Sequence, residues 1–170
     1  MKLLEEILKG QSKERAAKVA AWIGDDKKRF AELMDLVLNG GYVVVQRASW
    51  IMNVVHETHP ELVMPYLEQL IPKMHEKGQH IALKRHIVRL LQDIEIPEQL
   101  QGEVMNSCFD FLANPAEAIA VRCFSMTVLD NLSRTYPEIR QELVAILEDQ
   151  LEQEATAGFR ARAKKILKRR

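Results

Sequence analysis

The five histidines are the residues whose spacing comes closest to metal chemistry. The segment 56–59 reads His-Glu-Thr-His, which places its second histidine one position too early for the zinc motif H-E-x-x-H. His75 and His80 are one position too far apart, and Gly78 lies between them. Zinc bound by this motif needs histidines four positions apart on one continuous helix face. We therefore expect solvated or capping histidines, no metal site and no cofactor.

The sequence supports nucleophilic or acid–base catalysis as little as it supports a metal site. There is no G-x-S-x-G segment, no P-loop and no G-x-G-x-x-G, and the seven glycines stand alone as helix breakers. No pair of carboxylates is placed in an apolar cleft by its sequence context. Cys108 and Cys123 do not form a C-x-x-C pair, so we expect two reduced, buried thiols. The question of enzymatic activity stays open, and the sequence favours a non-catalytic protein.

Arginines at regular intervals suggest a different chemistry, the binding of anions. Arg47, Arg85, Arg122 and Arg162 follow one another at intervals of 38, 37 and 40 residues. The dipeptide Pro-Glu recurs at positions 60, 97 and 137 with nearly the same period. The arginines could tie neighbouring repeats together through carboxylates or carbonyl groups, or they could form a ladder that binds anions.

Amphipathic helices are the elements that must position these side chains. Gly, Pro and Thr are scarce, and apolar residues recur at helical spacing along almost the whole chain. Breaks such as Gly10-Gln11-Ser12 and Asn114-Pro115 divide this pattern. The predicted helices are 2–9, 12–23, 26–39, 42–58, 60–76, 79–94, 97–113, 116–135, 137–153 and 155–169. Pro65 and Pro72 lie inside 60–76, so this helix should kink or break.

The shared period of about 40 residues corresponds to a pair of helices. The segment Asn114-Pro115, followed by Val121-Arg122 and Leu129, resembles the HEAT-repeat pattern, and Arg47 and Arg85 begin weaker copies. The resemblance implies an all-α fold, a right-handed α-α superhelix (solenoid) of about four to five HEAT-like helix pairs. It also implies a scaffold or binding surface, with second helices lining the concave side. We predict one domain over 1–170: a cap and degenerate repeat at 1–40, three clearer repeats at 42–153, and a capping helix at 155–170.

Charge is distributed unevenly, although 24 basic residues balance 24 acidic ones. Residues 97–159 carry 3 bases and 11 acids, whereas 160–170 carry 7 bases and no acid. The second helices should bury their apolar stripes in the core and expose the opposite face to solvent. In these helices the residues on that opposite face are mostly acidic. The candidate partner-binding residues on this face are Glu68, Glu103, Asp110, Glu138, Glu142, Asp149 and Glu152. We predict that they bind a protein or a basic peptide.

A nucleic-acid partner is the alternative, through binding or through processing of a DNA lesion. The candidate anion-binding residues are Arg47, Arg85, Arg122, Arg162, Lys165 and Arg169. Trp22 and Asp26 have a separation suggestive of HEAT-type DNA glycosylases, but Gly24 ends the helix that would align them. The basic C-terminal residues could also cap the last helix or contact the acidic face of a second copy.

The compartment and the oligomeric state follow less directly from the sequence. Glu5 and Glu6 interrupt any signal-peptide core, and no window of 18 apolar residues exists. We therefore expect a cytoplasmic protein with no membrane partner. The sequence leaves the oligomeric state open.

Overall fold

The computed structural model describes residues 1–153 and 155–169, and in these residues it contains α-helices, short 3₁₀-helices and no strand. The predicted all-α fold class is therefore confirmed. The chain forms two compact units, Met1–Leu90 and Leu91–Arg170. The single domain over 1–170 stays a prediction, as do its internal divisions.

The first unit is organised around its longest helix, α4. Its elements are α1 (Leu3–Leu8), α2 (Lys13–Ile23), α3 (Lys27–Asn39), α4 (Tyr42–Thr58), the 3₁₀-helices Pro60–Leu62 and Met64–Tyr66, α5 (Leu67–Lys73) and α6 (Ile81–Leu91). Helix α4 contacts α1, α2 and α3. Val45, Ala48, Met52 and Val55 lie at helical spacing along α4 and are almost completely buried. The apolar stripe of α4 therefore forms the core of this unit.

The second unit is organised around α8 in the same way. It comprises α7 (Glu98–Ala113), α8 (Ile119–Leu132), α9 (Ile139–Glu152) and α10 (Ala157–Lys168). Helix α8 contacts α7, α9 and α10. Residues 116–132 are apolar on nearly all sides, which predicts a helix that is covered by its neighbours. The buried side chains of Val121, Met126, Val128 and Leu129 confirm this expectation.

Short polar side chains fix where several helices begin. The Ser12 hydroxyl accepts a hydrogen bond from the Arg15 N–H at 3.1 Å, and Asp26 accepts bonds from Lys28 and Arg29. Thr156 accepts a bond from the Phe159 N–H at 3.2 Å. Each bond satisfies an N–H that has no partner inside its own helix. These caps explain why the predicted and observed starts of α2, α3 and α10 differ by one or two residues.

The predicted helix 60–76 is broken. Two 3₁₀ turns occupy Pro60–Leu62 and Met64–Tyr66, and only Leu67–Lys73 is α-helical. Pro65 lacks an N–H and its ring clashes with the preceding turn, which disfavours a continuous α-helix at this position. Pro72 is tolerated inside α5 near its C-terminal end.

Candidate functional site

A groove between α7 and α9 is the feature of the second unit that joins the predicted acidic face to apolar surface. Its volume is about 660 Å³. The residues that line it are Gly102, Met105, Asn106, Phe109, Asp110, Ile139 and Glu142. Pockets that bind small molecules have volumes of this order.

Helical spacing explains how these side chains reach one groove. Met105, Phe109 and their neighbours on α7 recur every three or four residues, so they share one face of the helix. Ile139 and Glu142 lie three positions apart on α9. Leu143 and Leu147 of α9 are completely buried and anchor this helix. The groove is thus built beside the core on two packed helices.

The floor of the groove is apolar and partly open to solvent. Met105, Phe109 and Ile139 are half-buried. Their helical spacing from Cys108 and Leu143, which are buried completely, predicts core positions for these three residues as well. A Cβ added at Gly102 would meet no atom within 4 Å, so the chain leaves space at this position.

Two of the predicted acidic residues, Asp110 and Glu142, lie at this groove. Both are exposed, and neither forms an ion pair with any residue in 1–153 or 155–169. The structure thus brings together carboxylates that are 32 positions apart in the sequence.

The other predicted acidic residues are exposed as well. Glu103 lies seven positions before Asp110, and Asp149 lies seven after Glu142, a spacing that keeps each pair on one helix face. Gln153 donates a hydrogen bond to the Asp149 carboxylate at 3.2 Å. Glu138 and Glu152 stand at the two ends of α9. Glu68 belongs to the first unit and is not part of this groove.

Three of the four periodic arginines bind main-chain carbonyl oxygens. Arg47 donates to the carbonyls of Ile7 and Leu8 at 2.9 and 3.0 Å. Arg122 donates to the Leu112 carbonyl at 3.3 Å, and it also bonds to the Gln150 side chain. These contacts agree with the interpretation in which the arginines tie helices together.

Arg162 makes the third of these contacts, because its Nη1 donates to the Cys123 carbonyl at 3.1 Å. Arg85 and Lys165 are exposed and have no hydrogen bond or ion pair with another described residue. Arg169 forms an ion pair with the buried carboxylate of Asp130. The use of these residues as an anion-binding ladder stays a prediction.

A cationic side chain of α9, Arg140, lies at the C-terminal end of α10. Arg140 Nη2 donates to the carbonyls of Ile166 and Arg169, both at 2.6 Å. The Ile166 carbonyl also accepts the Arg169 N–H at 3.1 Å. A cation at this position favours the negative end of the helix dipole. The interpretation that basic residues of α10 itself favour this end of the helix stays a prediction.

The histidines only partly follow the expectation of solvated or capping residues. The Nδ1 atom of His80 accepts a hydrogen bond from the Ala82 N–H at 2.9 Å, as a capping side chain does. His59 lies 3.5 Å from the Glu61 carboxylate. His56 and His86, by contrast, are buried. Burial and the nearby Arg85 and Arg89 lower the pKa of His86 to about 4.

The contacts and burial of Trp22, Asp26 and the two cysteines bear on the other candidate chemistry in the sequence. Asp26 caps α3, and the backbone N–H of Arg29 helps to hold the pKa of this carboxyl below its usual value. The Arg29 guanidinium lies 4.6 Å from the centre of the Trp22 ring. Cys108 is buried, and burial raises its pKa to about 12. Cys123 is only half-buried, which corrects the expectation of two buried thiols.

In 1–153 and 155–169, no group of three His, Cys, Asp or Glu side chains could hold a metal ion. No helix in the same ranges is long and apolar enough to cross a membrane.

Comparison with known proteins gives one finding. A family model described as a HEAT repeat domain matches residues 4–170. Neither the curated proteins nor the solved structures contain a match. The resemblance noted at Asn114-Pro115 and Val121-Arg122 is thus confirmed over nearly the whole chain, which belongs to the HEAT repeat family.

Proposed function

We propose that this chain is a non-catalytic protein-binding module, and that its α7–α9 groove holds a basic segment of the partner. HEAT repeats generally provide surfaces for protein interaction. The observation that carries the proposal is the position of two unpaired carboxylates, Asp110 and Glu142, beside apolar side chains that the chain leaves half-open.

The apolar floor supplies the attraction for a partner. Removing apolar surface from water is favourable by about 25 cal/mol per Å², before the entropic cost of association is subtracted. Met105 and Phe109 add a flexible thioether and an aromatic ring, a combination suited to anchoring one aliphatic or aromatic side chain. The space beside Gly102 lets a partner backbone approach the helix.

The carboxylates determine the charge of that partner. Asp110 and Glu142 lie in a stretch, 97–159, with 3 bases and 11 acids. Lysine or arginine side chains on either side of the anchor would pair with them, and the surrounding negative potential would accelerate association. The occupant is therefore a basic peptide segment that carries one large apolar residue.

The first test uses charge reversal and a defined probe. A short lysine-rich peptide with one phenylalanine, carrying a fluorescent label, is titrated with the full chain and followed by anisotropy. Asp110→Lys combined with Glu142→Lys should weaken binding by at least about tenfold. Glu98→Lys combined with Glu148→Lys is the matched control, since it makes the same charge change on the same helices outside the groove. Equal losses in both variants would contradict the proposal.

The second test changes shape and leaves charge alone. Gly102→Leu places a side chain where the structure has room, so the fold should tolerate it. We expect this variant to lose peptide affinity, because the added side chain occupies the groove. Replacing the phenylalanine of the peptide by alanine should have a similar effect on the wild-type protein. If neither change alters the affinity, the groove is not the binding site.

A further inference from the structure

A second cavity in the same unit lies between α8 and α10 and has the opposite charge. Its volume is about 490 Å³. The residues that line it are Gln92, Thr127, Asp130, Gly158, Ala161, Arg162, Lys165, Ile166 and Arg169. None of the carboxylates of the α7–α9 groove is among them, so the two sites are independent.

Three cations from α10 and its C-terminal cap line this cavity. Arg162 and Lys165 lie three positions apart on one face of α10, and Arg169 is the C-cap residue that follows the helix. Asp130 is the one acid among the described lining residues, and its side chain is 3% exposed. Arg140 donates to its Oδ1 at 2.6 Å, and Arg169 pairs with Oδ2. The single carboxylate is thus already matched by two guanidinium groups.

A neighbouring cavity extends the same positive surface. It also has a volume of about 490 Å³, shares Asp130 and Arg169 with the first cavity, and adds Arg134 and Arg140. Five cationic residues therefore line the two cavities, together with one acidic residue, Asp130. Like charges held close together raise the free energy of the folded protein, and a bound anion would offset this repulsion.

Hydrogen bonds to three neighbouring residues hold the Arg162 side chain in place. Its Nη1 atom donates to the Gln92 side chain at 3.0 Å, and to the Cys123 carbonyl and the Thr127 hydroxyl at 3.1 Å. No other nitrogen of this guanidinium bonds to a described residue. The side chain therefore keeps donors for a ligand while losing little further conformational entropy on binding.

We propose that the α8–α10 cavity binds the phosphate group of a small phosphorylated compound. The planar guanidinium fork and the mobile ammonium of Lys165 are the donor types that recognise phosphate oxygens. Gly158 and Ala161 keep the first turns of α10 free of bulk, and a Cβ at Gly158 would meet no atom within 4 Å. The cavity volume is within the range of small-ligand sites.

The test titrates inorganic pyrophosphate into the full chain by calorimetry at low ionic strength. We expect one site, tighter binding of pyrophosphate than of orthophosphate, and an affinity that falls with added salt. Lys165→Glu should weaken pyrophosphate binding by at least about tenfold. Lys164→Glu is the matched control: this residue is the adjacent exposed lysine of α10, and it does not line the cavity. It should retain nearly the wild-type affinity.

A second variant keeps every cation. Ala161→Glu introduces a carboxylate inside the cavity, which should occupy the cations and compete with pyrophosphate. Absence of heat with the wild type at millimolar pyrophosphate would overturn the proposal, as would equal losses in the Lys164 and Lys165 variants. Binding of a single-stranded oligonucleotide that both lysine variants reduce equally would also overturn it, since it would indicate an extended nucleic-acid surface.

Discussion

The guanidinium carbon of Arg122 on α8 lies 5.0 Å from the centre of the Phe159 ring on α10. The same side chain bonds to the Leu112 carbonyl and to Gln150, so one buried arginine connects four helices. Both residues also fill the interior of the second unit, where Phe159 is 1% exposed. This arrangement depends on the planar, forked shape of the arginine head group.

Arg122→Lys should therefore destabilise the protein although it keeps the charge. A lysine ammonium cannot stack on Phe159 and donate to Leu112 and Gln150 at the same time. We expect a loss of about 2–4 kcal/mol in the free energy of unfolding, measured by urea denaturation. Arg134→Lys is the control, since this side chain is exposed and makes no hydrogen bond or ion pair with a described residue. A loss of similar size in both variants would show that the interior contacts of Arg122 contribute nothing.

The stability of the protein should decrease between pH 6.5 and pH 4 because of His86. Burial lowers the folded-state pKa of His86 from 6.5 to about 4, with smaller contributions from Arg85, Arg89 and His80. Below pH 6.5 the unfolded chain binds a proton at this residue before the folded protein does, so unfolding becomes more favourable as the pH falls. The full effect is on the order of 3 kcal/mol.

The pH prediction is tested by urea denaturation at pH 7 and pH 4.5. His86→Leu removes the titrating group, so the difference in unfolding free energy between the two pH values should be smaller in this variant than in the wild type. Carboxylates also titrate in this range, and they affect both proteins alike. Equal pH dependence in the two proteins would contradict the role of His86.

Two adjacent glycines should respond differently to the same substitution. A Cβ at Gly40 would lie 2.4 Å from the Leu36 carbonyl oxygen and 2.9 Å from a methyl carbon of Val44, whereas a Cβ at Gly41 would meet nothing within 4 Å. Gly40→Ala should therefore cost about 1–3 kcal/mol, and Gly41→Ala should change stability little. Thermal unfolding of the two variants provides the comparison. Equal melting temperatures would show that the backbone near Gly40 relaxes without cost.

The helices could be predicted because their signals are local. Ser12, Asp26 and Thr156 mark helix starts by bonds to N–H groups two or three residues away. The outcome for 60–76 was harder to predict, because a proline can either kink or interrupt a helix. Pro65 interrupts it here, whereas Pro72 remains inside α5.

The candidate groove could be predicted only in part. Exposure of Asp110 and Glu142 follows from their position opposite the apolar stripes. Met105, Phe109 and Ile139 belong to the same stripes as buried residues, and one-dimensional periodicity does not separate a covered apolar side chain from a half-open one. That distinction depends on the spacing between α7 and α9, which tertiary packing sets.

The arginine contacts with carbonyl oxygens have a consequence for how this sequence can change over evolutionary time. Arg47 and Arg162 hold Ile7, Leu8 and Cys123 by main-chain atoms that every amino acid possesses. Mutations at the held positions would leave these acceptors in place. The helices can therefore diverge in sequence at these contacts while the same arginines continue to join them.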